Sequence, residues 1–471
     1  MTPRTSRIIS SAFLRPLLAG AMVTSALPAL AAPAAEAGAP TLDSKLSGVL
    51  GRPGGLTADA VAKRAEATSY DVKAKRDELD AAAAGVDQAL VGYFPKLSGV
   101  GRYTRLSPID PLRFGELTLP FILNQYILQA TLSVPISDYL LRIPQAHAAA
   151  TKSQRAAAFA EKATRLKVSS DAKVSYYTWV RARLQEVVAE QAVEQAKAHL
   201  VDAKHAFEAG TVSKADVLRI ESQVAQSQLL LERAHNFADV SETQIRVAMH
   251  DETGGAYEVG ESVDAEVAPV KESVNLTAAW GEAKNVRLEV RALDESAGSL
   301  RDQAKVARAN NYPHLDAFGD IIYASPNQRI FPQTEGFRAT WDVGAQITWS
   351  PNDLSAGSAT ARSLDSRASG LLAQRQALED GIRVEITQAN NSLHEARAAI
   401  ESTARGLAAS EESYRVRRSL FQNGRATSVE LTDAETDLTR ARLEAINARV
   451  DLRIAQVRFQ HAVGRDVPSE R

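Results

Sequence analysis

The sequence predicts a mainly α fold with a membrane β-barrel part, in which long antiparallel helical hairpins continue into four β-strands. Three observations predict it. First, the chain repeats itself: Phe207-Glu208-Ala209-Gly210-Thr211-Val212 leads to Asp216, Leu218 and Glu221. Phe421-Gln422-Asn423-Gly424-Arg425-Ala426 leads in the same way to Glu430, Thr432 and Glu435, at a constant offset of 421 − 207 = 214. Second, helix breakers become scarce around each copy, with no proline between Pro144 and Pro269 or between Pro351 and Pro468. Third, Phe337–Ser350 alternates without a miss. Phe337, Ala339, Trp341, Val343, Ala345, Ile347 and Trp349 share one face, and Arg338, Thr340, Asp342, Gly344, Gln346, Thr348 and Ser350 share the other.

At the N-terminus, Arg4, Arg7 and Arg15 precede a mostly apolar run from Leu17 to Leu27, and Ala29-Leu30-Ala31 fits a small-x-small cleavage site. Residues 1–31 therefore read as a secretory signal peptide. No later run of about 20 apolar residues could cross a bilayer as a helix. Residues 32–250 form the first structural repeat, 251–274 a linker containing Gly254, Gly255 and Gly260, and 275–471 the second repeat.

Within the repeats, breaker-poor segments predict long helices at about 144–209 and 355–423, each roughly 100 Å at ~1.5 Å per residue. Shorter helices are predicted at about 57–92, 213–250, 276–311 and 428–463. Each Gly in the repeated turn is a left-handed helix stop, so both turns read as tips of helical hairpins. After the second tip, Leu431, Ala434, Leu438, Ala441, Ala445, Ala448, Leu452, Ala455, Phe459 and Ala462 follow alternating steps of 3 and 4. Shifted by 214, the first copy gives a weaker seam from Val217 and Ile220 to Ile245 and Ala248. A second stripe, Leu443, Ile446, Val450, Ile454 and Val457, gives the last helix a second neighbour, as in a ring or sheet of helices.

The extended regions open with Tyr93-Phe94-Pro95 and Asn311-Tyr312-Pro313. Besides Phe337–Ser350, strands are predicted around 97–104, 125–134 and 315–323, with exposed loops at 108–120 and 325–336. Aromatic residues near the strand ends (Tyr103, Tyr126, Phe337, Trp349) suit membrane interfaces. Four strands cannot close a barrel, since the smallest have about eight, so several chains must contribute.

Composition excludes several chemistries. A net charge of −2 gives no reason to expect nucleic acid, and the absence of cysteine removes disulfides, thiolate metal sites and a cysteine nucleophile. There is no phosphate loop and no Gly-x-Ser-x-Gly elbow. The eight histidines are dispersed without zinc spacing and read as solvated helix-surface residues. No enzyme, cofactor or metal site is expected.

Together the tips, the aromatic-Pro strand openings, and the strand ends Ser133-Val134-Pro135-Ile136-Ser137-Asp138 and Thr348-Trp349-Ser350-Pro351-Asn352-Asp353 resemble TolC-type outer-membrane efflux proteins over about residues 56–465. The resemblance implies a homotrimer with a 12-stranded barrel in outer-membrane lipid above a barrel of 12 helices crossing the periplasm. It implies a passive exit duct for tripartite efflux or type I secretion. Its partners would be a periplasmic adaptor (membrane fusion) protein and an inner-membrane pump of RND, ABC or MFS type. By the same resemblance, Gly210, Thr211, Val212, Gly424, Arg425 and Ala426 contact the adaptor, and Asp216, Glu430 and Asp433 form the pore gate.

Read from the residues alone, Asp216 and Glu430 lie in the first turns of helices, where the helix dipole favours a carboxylate. That local role accounts for one acid per tip and leaves Asp433 over. The alternative reading is a periplasmic coiled-coil scaffold or adaptor without its own pore.

Overall fold

A computed structural model describes residues 42–108, 112–114, 117–119, 122–263 and 275–466. The signal peptide (1–31), residues 264–274 of the linker, and residues 109–111, 115–116 and 120 of the 108–120 loop lie outside the described residues.

Where proline and glycine are scarce the chain is helical without interruption. The helix α5 (Ile143–Glu208) has 66 residues and α9 (Pro351–Gln422) has 72. Each begins with proline in its first turn, where the missing N–H costs nothing. The helices that return from their ends, α6 (Lys214–Met249) and α10 (Ser428–Val463), have 36 residues each. The remaining helices are α1 (Leu42–Val49), α2 (Ala58–Thr68), α3 (Tyr70–Val91), the single turn α4 (Asp138–Leu141), α7 (Leu276–Val286) and α8 (Leu288–Ala309).

The helices predicted at 57–92 and 276–311 are each two helices, broken at Ser69 and Arg287, positions 218 apart. Both break residues are extended, and both breaks abut the end of a returning helix. Thr68 Oγ1 donates to the Met249 carbonyl (3.2 Å), and Arg287 Nη1 donates to the His461 and Ala462 carbonyls (3.3 Å each). Last-turn carbonyls have no partner within their own helix, and the kinks bring donors to them.

The strands β1 (Lys96–Arg105), β4 (Asn124–Pro135), β5 (His314–Ser325) and β6 (Arg338–Thr348) form one antiparallel sheet in the order β1-β4-β5-β6. The loop predicted at 108–120 instead carries a short antiparallel ribbon, β2 (Leu112–Phe114) with β3 (Leu117–Leu119). Away from the sheet the helices lie side by side in a layer. Near the sheet the neighbours run α3-α5-α8-α9, and near the tips α6-α5-α10-α9.

The widest core surrounds Trp179 and Tyr176 of α5, which are fully buried against α1, α2, α6, α10 and the linker. The described part of the linker packs irregularly here. Leu56 bridges Val259, and Gly55 and Gly260 approach so closely that a Cβ on either would meet backbone atoms within 2.6 Å. A second core joins α7, α8, α9 and α10, and a third lies behind the tips. Both faces predicted for α10 are occupied: Ile446, Val450 and Ile454 enter the first core, and Ala455, Phe459 and Ala462 the second.

Candidate functional site

The two tips are built by the same device. Gly210 (φ 73°) and Gly424 (φ 69°) adopt the left-handed conformation that the repeat predicts. The following amides close the turn, Thr211 N onto the Ala206 carbonyl (2.9 Å) and Arg425 N onto the Leu420 carbonyl (2.8 Å). Three residues past each glycine a hydroxyl caps the returning helix. Ser213 with Asp216, and Thr427 with Glu430, form reciprocal capping boxes.

The structure therefore gives two of the predicted gate acids a local task. Asp216 Oδ2 accepts from Ser213 Oγ (2.6 Å) and from Ser213 N (3.1 Å). Its Oδ1 accepts from Ser428 Oγ, a side chain of the other tip that is 1% exposed. The hydrogen bonds from Ser213, and then from Ser428, hold the Asp216 carboxyl below the usual carboxylate range. Asp216 thus fastens the two hairpins to each other.

Glu430 accepts from Thr427 N (3.0 Å) and meets Arg417 Nη1 at 3.4 Å. The Thr427 amide, with Arg417 beside it, keeps the Glu430 carboxyl low. Asp433 is exposed and lines a groove of about 490 Å³ between the first turns of α6 and α10, with Ala215, Leu218, Arg219, Gln223 and Thr436. Of the predicted adaptor contacts, Gly210, Thr211, Gly424 and Arg425 are exposed, whereas Val212 and Ala426 pack partly into the core behind the tips.

Sequence reading missed the polar layer behind this surface. His199 is not a surface histidine: it is buried, and its Nε2 shares a 2.7 Å hydrogen bond with Tyr414 Oη, joining α5 to α9. Burial pushes its pKa below the ordinary imidazole value. Glu435, on α10, is 2% exposed, and burial pushes its carboxyl up to about 7. The second copy of the repeat holds Glu435 where the first holds Glu221, but nothing local to either acid signals which one is buried. Among the described residues no cluster of three or more His, Cys, Asp or Glu could hold a metal ion.

The sheet sits at the far end of the helices. Register aligns Leu97, Leu132 and Gly319; Leu128 and Tyr323; and Ala130, Ile321 and Trp341 across neighbouring strands. The apolar sets of all four strands therefore merge into one face, and it is exposed, with Trp341 and Val343 each 74% accessible. Ring pairs Tyr103–Tyr126, Tyr126–Phe337 and Tyr323–Phe337, at 5.0, 6.1 and 5.0 Å, cap this face at its loop end, and exposed Trp349 marks the helix end. The opposite face is mostly polar, with Gln129, Thr131, Asp320, Asp342 and Gln346 beside the apolar Ile127, Phe318 and Ile322. Among the described residues, β1 and β6 each have a strand partner on one side only. No described helix is long and apolar enough to cross a membrane.

A model of the outer membrane efflux protein family matches residues 61–249 and 280–465, so both repeats are covered. No curated protein matches the chain. Among solved structures, the channel-forming protein CusC aligns with a TM-score of 0.74 at 14% identity, covering 86% of this chain and 92% of its own. The Vibrio cholerae outer membrane protein VceC aligns at 0.70 and 17%, covering 86% and 96%. The Campylobacter jejuni outer membrane channel CmeC aligns at 0.72 and 16%, covering 95% and 94%.

Proposed function

We propose that this chain, which belongs to the outer membrane efflux protein family, is one third of a passive duct. It is an outer-membrane transport protein and not an enzyme. In the proposed assembly three copies close their sheets edge to edge into a 12-stranded barrel, and their helical layers into a tube reaching into the periplasm. An inner-membrane pump would supply the energy, and a periplasmic adaptor would dock at the tips.

One observation carries this reading: a four-stranded sheet with an exposed apolar face, a mostly polar reverse and two unpaired edges stands on helices about 100 Å long. An exposed strand edge invites pairing, and closure into a barrel removes every edge. A coiled-coil scaffold without a pore has no use for such a face.

The paired tips are the proposed entrance. Three Asp433 carboxylates would face one another there. Asp216 would hold each subunit's hairpins together, so that docking at the tips competes with its bond to Ser428.

Single-channel recording in planar bilayers tests the entrance. Neutralising Asp216, Glu430 and Asp433 together should raise conductance and reduce cation preference. Unchanged conductance and selectivity would remove the gate from the tips. Charge reversal at Arg425 should abolish adaptor crosslinking with the trimer intact on unheated gels; crosslinking that survives would move the docking site elsewhere.

A further inference from the structure

The segment joining β5 to β6 does not wholly project away from the sheet. Its first part, around Asn327 and Arg329, folds back across the mostly polar face. Asn327 is 3% exposed, and its Nδ2 donates to the Arg338 carbonyl (3.0 Å) and to Thr340 Oγ1 (3.1 Å). Its Oδ1 accepts from Arg329 N (3.0 Å), its carbonyl accepts from Ile330 N (3.1 Å), and Gly336 N donates to Ser325 Oγ (3.1 Å) at the base. A buried amide with these partners fixes the segment's position.

What the segment delivers is a charge. Asp320 and Asp342 lie directly opposite each other on β5 and β6, both on the polar face. Like charges in that relation repel. Asp320 accepts from Thr131 Oγ1 and from Gln129 Nε2 (3.1 Å), bonds that orient it without neutralising it. The counter-charge paired with them is Arg329, whose Nη1 lies 2.7 Å from Asp342 Oδ1, while Arg102 and Arg338 share the face two rows nearer the loops. Held in place by Asn327, Arg329 turns two adjacent carboxylates into a group of net charge −1.

We propose that residues 326–336 form a polar collar, its first part folded into the outer mouth of the duct, where Arg329 is a specificity-determining residue that sets how anionic solutes fare against cationic ones. The inference rests on the duct reading, because the polar face must line a pore. Three copies would place three such groups around the exit. The collar lies at the opposite end from the tips, so it filters outgoing solutes after the entrance has admitted them.

The test reads the outer mouth alone. The chain has no cysteine, so Gln346→Cys puts a single thiol on the polar face of β6, nearer the helices than Asp342. Intact cells are treated from outside with methanethiosulfonates carrying either trimethylammonium or sulfonate, and the two reaction rates are compared. Arg329→Gln in this background should raise the cation-to-anion rate ratio by about threefold or more, and Asp342→Asn should lower it by a similar factor. A ratio unchanged in both variants overturns the proposal.

The segment's position is checked separately. Asn327→Cys with Thr340→Cys should form a disulfide on oxidation, because the native side chains touch. Folded trimers that fail to form it would overturn the inward placement. Absence of a heat-sensitive trimer in the wild type would instead strike the duct reading, and the 327–340 disulfide would still report where the segment sits.

Discussion

The returning helices α6 and α10 come from one repeated sequence and end in different surroundings. Both leave a left-handed glycine, both start with a capping box, and both bury the seam their periodicity predicts. Yet α10 lies between α5 and α9, while α6 lies at the edge of the layer against α5. Equivalent positions diverge accordingly. Leu443 and Ile454 pack into the central core, whereas Leu229 and Val240, 214 residues earlier, are exposed. Phe421 is buried and Phe207 exposed; Glu435 is buried and Glu221 exposed. The hairpins share one local design, and the number of neighbours decides what each side chain does. In the proposed trimer, the bare face of α6 would be covered by the next subunit.

The most severe test of this contrast is truncation at matched positions. Ile454→Ala should cost about 2–5 kcal/mol of chain stability, read by urea unfolding in detergent. Val240→Ala should leave that transition in place and weaken the trimer on unheated gels. Equal losses of chain stability would mean that α6 is as enclosed within one chain as α10.

Next in size is the acid pair. The raised pKa of Glu435 means that the folded chain keeps a proton the unfolded chain has released. Its contribution to stability therefore falls as pH rises from the ordinary value of 4.5 through about 7. Glu435→Gln should raise the melting temperature at neutral pH and flatten its dependence across that window, and Glu221→Gln should do neither. A pH profile unaltered by Glu435→Gln would contradict an uncompensated buried carboxyl.

A smaller effect separates the two caps. Asp216→Ala removes its own capping box and the bond to Ser428, a loss of about 1–2 kcal/mol confined to the tips. Amide exchange should quicken in the first turns of both α6 and α10. Glu430→Gln should quicken α10 alone. The pKa of Asp216 is lowered, so its contribution is present at neutral pH and is lost only as pH falls below the ordinary aspartate value of 3.8. Smallest of all, Gly210→Ala and Gly424→Ala should each cost about 1 kcal/mol, and equally, because an added Cβ meets nothing within 4 Å at either turn. An unequal pair would show that one tip bends more readily than the other.

Legibility in the sequence followed the range of the interaction. Helix ends, glycine turns, capping acids and strand alternation are settled within a few residues of the chain, and the sequence determined them: both tips, the two long helices and all four strands lie where periodicity and breakers put them. The family resemblance rested on the order of these local elements.

Tertiary structure decided whatever depends on a partner remote in sequence. Ser428 reaches Asp216 across 212 residues, Arg417 of α9 pairs with Glu430 of α10, and His199 finds Tyr414 across 215. The breaks at Ser69 and Arg287 carry no proline or glycine: Ser69 caps α3 by accepting from Val72 N (3.4 Å), and both breaks meet the end of another helix. A repeated sequence fixes a repeated backbone through local forces. Which copy is buried depends on what packs against it, and that information is spread over the whole chain.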